Sequence, residues 1–265
     1  MARGLRGLRG WGFVCAAALS ALVFTASGEA ATADETISPA TDIEPAARRP
    51  VYLTSAESRH PPLLVYPART DTAKPLVVFL HGMCDAPENE CPSFAGDATR
   101  NRVLLCPRAN LRCDGGGTIW SGRGEVRAAL LDSFLDRATR ALPAVIDRSQ
   151  RPTLIGFSLG AFVALDVVQR SPGTYKNLIL LGARVEPDAR LLRESGVESV
   201  LFGAGDHDMT KQHMAGVAAR LATKGIRSCF VGMGDVGHWF ARDMDAWLTD
   251  AFAWLELPPA PATKS

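Results

Sequence analysis

Four short stretches carry side chains suited to group transfer. Ser158 stands in "GFSLG" (156–160), between two glycines; Asp206-His207-Asp208 closes the run that begins "SVLFGAG"; His238 sits in "GDVGHWF"; and His81-Gly82-Met83 follows "PLVVFL". A serine hydroxyl is a poor nucleophile near neutral pH unless a base removes its proton as it attacks, and His238 is the candidate base. A carboxylate would fix the imidazole tautomer and stabilise the imidazolium that forms. Gly-x-Ser-x-Gly alone is a weak signal in a chain with 24 glycines, so the elements around it must decide.

Those elements alternate. "VYL" at 51 and "LLVYP" at 63 read as edge strands. "PLVVFL" at 75, "VLLCP" at 103, "TLIGF" at 153, "NLILLG" at 177, "SVLFGAG" at 199 and "SCFVGMG" at 228 are almost continuously apolar, as strands buried on both faces are. Between them the spacing predicts amphipathic helices over Glu125–Ile146, Leu159–Gln169, Thr210–Lys224 (with Thr210 as N-cap and Gly225 as stop) and Phe240–Leu255. The expected fold is α/β: a mostly parallel sheet flanked by helices on both faces. In such a sheet the working site lies beyond the carboxyl ends of the strands, where Ser, Asp and His fall in that chain order.

Strand–Ser–helix, the order Ser, Asp, His, and the four motifs "HGM", "GFSLG", "GAGDHD" and "GHWF" together resemble the α/β-hydrolase superfamily over roughly residues 63 to 256. The resemblance implies a capless serine esterase or lipase-like hydrolase with Ser158 as nucleophile, His238 as base and Asp208 as acid. Asp208 ends a Gly-x-x-Asp turn and is favoured over Asp206, the alternative acid. It also implies an oxyanion hole from the backbone N–H groups of Met83 and Leu159. No metal or organic cofactor is expected. The substrate would be a small-molecule or polymeric ester, and the openness of a capless site favours an accessible one. A serine peptidase of the same fold and a non-catalytic binding protein on the same scaffold are the rival readings.

Other residues take plainer roles. His81 is expected to orient the oxyanion loop, His60, His207 and His213 to be solvated, and Asp235 to form a turn, with a fallback role as acid. Trp120, in the glycine-rich stretch "CDGGGTIWSGRGE", would wall the pocket or anchor the loop. That stretch lacks the Gly-x-x-x-x-Gly-Lys-Ser/Thr order of a phosphate loop. Spacing suggests Cys84 with Cys91 and Cys106 with Cys113, leaving Cys229 unpaired, although four cysteines allow three connectivities and a zinc site is the competing, disfavoured reading.

The 265 residues are 47% apolar and 22% charged, enough for one sizeable core; the net charge of +1 gives no reason to expect nucleic acid as a partner. Arg3, Arg6 and Arg9 before an apolar run from Trp11 to Ala26, then Ser27, Gly28 and Ala30, have the order of a secretory leader, expected to be cleaved after Ala30, with Ser27 or Gly28 as alternative sites and an uncleaved anchor as the rival reading. The expected organisation is a signal peptide at 1–30, a disordered linker at 31–49, a hydrolase domain at 50–257 and a flexible tail at 258–265. The mature protein would be a secreted or periplasmic monomer without a transmembrane segment.

Overall fold

The apolar runs form strands whose alternate residues serve opposite faces of one sheet. Val78 and Leu80 pack into one layer of core, while Val77 and Phe79 pack into the other. The computed structural model describes residues 13–15, 49–54, 61–68, 70, 72–96 and 101–258. The rest of the expected leader, nearly all of the linker, His60 and all but the first residue of the tail lie outside the described residues.

The strands are β1 (Phe13–Cys15), β2 (Val51–Leu53), β3 (Leu63–Tyr66), β4 (Leu76–Leu80), β5 (Val103–Pro107), β6 (Leu111–Arg112), β7 (Thr118–Ile119), β8 (Thr153–Phe157), β9 (Asn177–Leu181), β10 (Ser199–Ala204) and β11 (Arg227–Gly232). The main sheet runs β1-β11-β10-β9-β8-β4-β5-β3-β2. Pairs from β5 through β11 are parallel, while β2, β3 and β1 join antiparallel at the edges. This is the expected mostly parallel sheet, with "VYL" and "LLVYP" at one edge. Strands β6 and β7 form a separate hairpin that the sequence reading did not anticipate.

The helices are α1 (Pro87–Glu90), which passes into a 3₁₀ turn at Cys91–Phe94, then α2 (Gly124–Ala141), α3 (Leu159–Arg170), α4 (Ala189–Glu194), α5 (Lys211–Thr223) and α6 (Met244–Glu256). Residues of α2, α3, α4 and α5 fill one core layer, and α6 with the 3₁₀ turn fills the other. No helix among the described residues is long and apolar enough to cross a membrane.

Two helix boundaries differ from expectation. Helix α2 ends at Ala141 and not at Ile146, because Pro143 disfavours helical backbone at Leu142; Ile146 is instead buried and bridges to Lys74. Helix α6 begins at Met244, after Asp243 accepts a hydrogen bond from the Ala246 N–H at 2.9 Å; Phe240 is buried but precedes the helix.

The cysteine pairing also differs. The disulfides are Cys84–Cys113, Cys91–Cys106 and Cys15–Cys229, so neither expected short loop closes and Cys229 is bonded. Cys106 lies inside β5 on the face that packs the 3₁₀ turn opening at Cys91, and the β6–β7 hairpin carries Cys113 back to Cys84. Cys15 belongs to β1, drawn from the apolar run read as leader.

The connection from β4 goes to β5 on one side and then returns to β8 on the other. The carboxyl ends of β4 and β8 therefore flank a topological switch point, where a crevice forms in such sheets.

Candidate active site

Ser158 stands between β8 and α3 with φ +52° and ψ −116°, a left-handed conformation that a side chain rarely adopts. The two flanking glycines make the turn feasible. A β-carbon on Gly160 would lie 2.1 Å from the Leu80 carbonyl oxygen, and one on Gly156 would lie 2.4 Å from the Gly160 oxygen. The helix start therefore presses directly on both strands, which lifts the hydroxyl above the sheet.

Two long-range hydrogen bonds converge on His238. Its Nδ1 lies 2.8 Å from Asp208 Oδ2, and its Nε2 lies 3.1 Å from Ser158 Oγ. An ionised carboxylate only accepts, so Nδ1–H donates to Asp208, and the unprotonated Nε2 accepts the Ser158 hydroxyl. Asp208 also accepts from the Thr210 N–H at 2.8 Å. Its side chain is 3% exposed, which shields the bond to His238 from water.

Asp206 points elsewhere. It is 43% exposed and pairs with Lys211 Nζ at 2.8 Å. Asp235 is also directed away from His238: it accepts from His207 Nε2 at 2.6 Å, and that hydrogen bond and charge hold its carboxyl below the usual range. His207 is exposed, as expected. His213 departs from expectation, being largely covered, with Nε2 donating to the Val185 oxygen at 3.1 Å.

The loop after β4 lies beside the serine, since a β-carbon on Gly82 would sit 3.6 Å from Ser158 Cβ. His81 is fully buried beneath it, and that burial lowers its pKa. Its Nδ1–H donates to the Gly82 oxygen at 2.8 Å, and Nε2 accepts from the Ala109 N–H at 3.2 Å, which describes a neutral ring joining two loops. Trp120 is buried and donates from Nε1 to the His81 oxygen at 3.0 Å, so it anchors the loop and does not wall a pocket. Leu159 opens α3, where the first N–H groups have no partner within the helix. Met83, Met209 and Trp239, each next to a residue of this cluster, are exposed.

Three contributors escaped the sequence reading. Gly182, at φ +56°, leaves room for His238 Cε1 and Asp208 Oδ2, which a β-carbon there would meet at 3.1 and 3.3 Å. Phe157 packs against the imidazole with ring centroids 5.0 Å apart and the rings tilted by 32°. Glu90 is buried behind the Gly82 loop and accepts from the Gly82 N–H. A glycine after an apolar run and a glutamate in "PENE" carry no local signature of such roles; only strand order places them.

No family model and no curated protein matches the sequence. Solved structures do match. Esterase PE8 is 25% identical, with a TM-score of 0.55 over 73% of this chain and 96% of its own. A carboxylesterase from Bacillus cereus is 20% identical (TM-score 0.56; 73% and 93% covered), and acyl-protein thioesterase 2 from Zea mays is 19% identical (0.53; 73% and 98%). The fold they share with this chain is that of the α/β-hydrolases.

Proposed function

We propose that this chain, an α/β-hydrolase by fold, is a secreted serine hydrolase that cleaves carboxylic esters through an acyl-enzyme on Ser158. The observation that carries this reading is the unbroken relay Ser158–His238–Asp208, with hydrogen bonds of 3.1 and 2.8 Å between residues 80 and 30 positions apart in the chain. Its neighbours in structure include esterases, which supports ester hydrolysis as the chemistry.

As Ser158 Oγ attacks the carbonyl carbon, His238 Nε2 takes its proton, and the buried Asp208 carboxylate offsets the imidazolium charge. The N–H groups of Met83 and Leu159 donate to the carbonyl oxygen as it becomes an oxyanion. Collapse of this intermediate breaks the ester C–O bond, and the departing alkoxide takes the proton back from His238. Water then gives a proton to Nε2 and attacks the acyl carbon, releasing the acid and restoring the serine. The scheme uses no metal or organic cofactor.

The connection between β9 and β10 holds only the short helix α4, which leaves little chain for a cap. Exposed Met83, Met209 and Trp239 suit an apolar acyl or alcohol group approaching from solvent, on a small molecule or a polymer. Three disulfides are consistent with an extracellular protein. Cleavage after Ala30 would remove β1 and leave Cys229 as a thiol within β11.

The test is intact-mass and peptide mapping after exposure to a fluorophosphonate, beside Ser158→Ala and His238→Ala. The expected result is one adduct, on Ser158, lost in both variants, with ester turnover reduced by about 10⁴-fold or more. A folded wild type that takes no adduct would refute the reading.

A further inference from the structure

Glu90 is the one buried acid beside the site that the proposed chemistry leaves unused. It ends α1 with 1% of its surface exposed, and its Oε1 and Oε2 lie 3.2 and 3.1 Å from the Gly82 nitrogen. A β-carbon on Gly82 would meet Glu90 Oε1 at 3.1 Å on one side and Ser158 Cβ at 3.6 Å on the other. The carboxyl group thus holds the His81–Gly82 peptide, directly before the Gly82–Met83 peptide that carries the Met83 N–H. Glu90 also shares a hydrogen bond with Asp85, which accepts in turn from the Ala86 N–H and Asn89 Nδ2, each at 2.7 Å.

The surroundings fix this arrangement from both sides. Cys91, the next residue, is bonded to Cys106 in β5. Cys84 is bonded to Cys113, and the Asp85 oxygen accepts from the Thr118 N–H at 2.8 Å. Beside these anchors Gly82 approaches the serine, and its N–H is held by Glu90 alone among the hydrogen bonds of the described residues.

We propose that Glu90 is a positioning residue for ester hydrolysis: protonated and paired with Asp85, it holds the Gly82 N–H and so aims the Met83 N–H at the oxyanion formed by attack of Ser158. The inference rests on the reading of Ser158 as nucleophile. Two carboxyl groups in hydrogen-bond contact cannot both ionise cheaply, so one keeps a proton. Burial, followed by contact with Asp85, raises the Glu90 pKa to about 8 against the pull of the Gly82 N–H. At Asp85 burial acts in the same upward direction, but hydrogen bonds from Asn89, the Ala86 N–H and Glu90 prevail and leave its pKa low. The proton therefore belongs to Glu90, whose O–H donates to Asp85.

Loss of that proton would set two negative charges in contact and place one of them behind the oxyanion site. Activity should then fall as pH rises through the Glu90 pKa. The other groups around this pocket are neutral His81, the Glu88–Arg108 ion pair and His238 across Ser158. Of these, His238 is the group that accepts the Ser158 proton in the proposed mechanism.

The experiment measures kcat and KM for a short-chain p-nitrophenyl ester from pH 6 to 10 in the wild type, Glu90→Gln, Glu90→Leu and Ser158→Ala. Glutamine keeps an oxygen for Gly82 and an N–H for Asp85 but has no proton to lose. E90Q should keep kcat at pH 6.5 within about threefold and lose the alkaline fall, while E90L should lose kcat by about 10- to 100-fold with KM little changed, part of the value of one oxyanion donor. A wild type without an alkaline fall, an E90Q that retains it, or a folded E90L with wild-type kcat would each overturn the proposal. If E90L fails to fold, E90Q still decides. Turnover surviving in S158A would instead defeat the hydrolase reading itself.

Discussion

Gly160→Ala puts the elbow to a steric test. A β-carbon there would sit 2.1 Å from the Leu80 oxygen and 2.8 Å from the His81 oxygen, both backbone atoms at the end of β4. Carbon–oxygen contacts normally begin a little above 3 Å, so helix and strand must part by roughly 1 Å. Alanine would otherwise help, because it favours helix over glycine by about 1 kcal/mol. Backbone overpacking costs about 1–3 kcal/mol, so the net should be destabilising by up to about 2 kcal/mol, or several degrees in Tm. The same shift moves Gly82–Met83 relative to Ser158, and a misplacement of about 1 Å costs on the order of 100-fold in rate. Gly216→Ala is the matched control, because a β-carbon within α5 meets only the flexible end of Arg220 at 3.3 Å and should raise Tm slightly. The assay is thermal unfolding together with the rate of fluorophosphonate labelling. A G160A protein that behaves like G216A, with higher Tm and unchanged labelling, would refute the argument.

Two further outcomes are expected. Asp208→Asn should cut kcat by about 10³- to 10⁴-fold, because an amide no longer fixes the productive imidazole tautomer, whereas Asp206→Asn, removing only the exposed pair with Lys211, should stay within about threefold. Steady-state ester kinetics of the two variants decide which acid serves. Thiol titration in denaturant without reductant should find one sulfhydryl in protein cleaved after Ala30, that of Cys229, and none in protein that keeps Cys15. Five sulfhydryls in the cleaved protein would rule out both remaining disulfides.

The central strands were legible because burial on both faces leaves little choice of residue. "TLIGF", "NLILLG" and "SVLFGAG" are apolar throughout, and the alternation with helices then requires parallel pairing. The edges were less so. Phe13–Cys15 reads as part of a leader because its flanking arginines and apolar run dominate, and nothing local marks its pairing with β11. Cysteine partners failed for the same reason: spacing of seven suggests a closed loop, but α1 lies between Cys84 and Cys91, and β6 turns the chain before Cys113. At Pro143 the apolar periodicity continues across the break, but the backbone restriction on Leu142 outweighs that pattern.

At the site, the residues found from sequence are those that chemistry restricts by type, and the missed ones act through position. Ser158, Asp208 and His238 are the serine, acid and histidine that follow β8, β10 and β11, the residue types that the proposed relay requires. Glu90 and Gly182 are defined by what lies opposite them in space. The backbone separates the two kinds clearly. Among the described residues only Ser158 and Cys84 have positive φ outside glycine, and they lie on the loops after β8 and β4, the two strands at the switch point. Strain of this sort costs on the order of 1–3 kcal/mol at each position and persists only where surrounding contacts over-determine it. For Ser158 those contacts are the Gly156 and Gly160 approaches; for Cys84 they are its disulfide and the close pass of Gly117 against its carbonyl. Local preference is thus overridden on both sides of the same crevice, where an attacking oxygen and a donor to the developing oxyanion would have to be held at once.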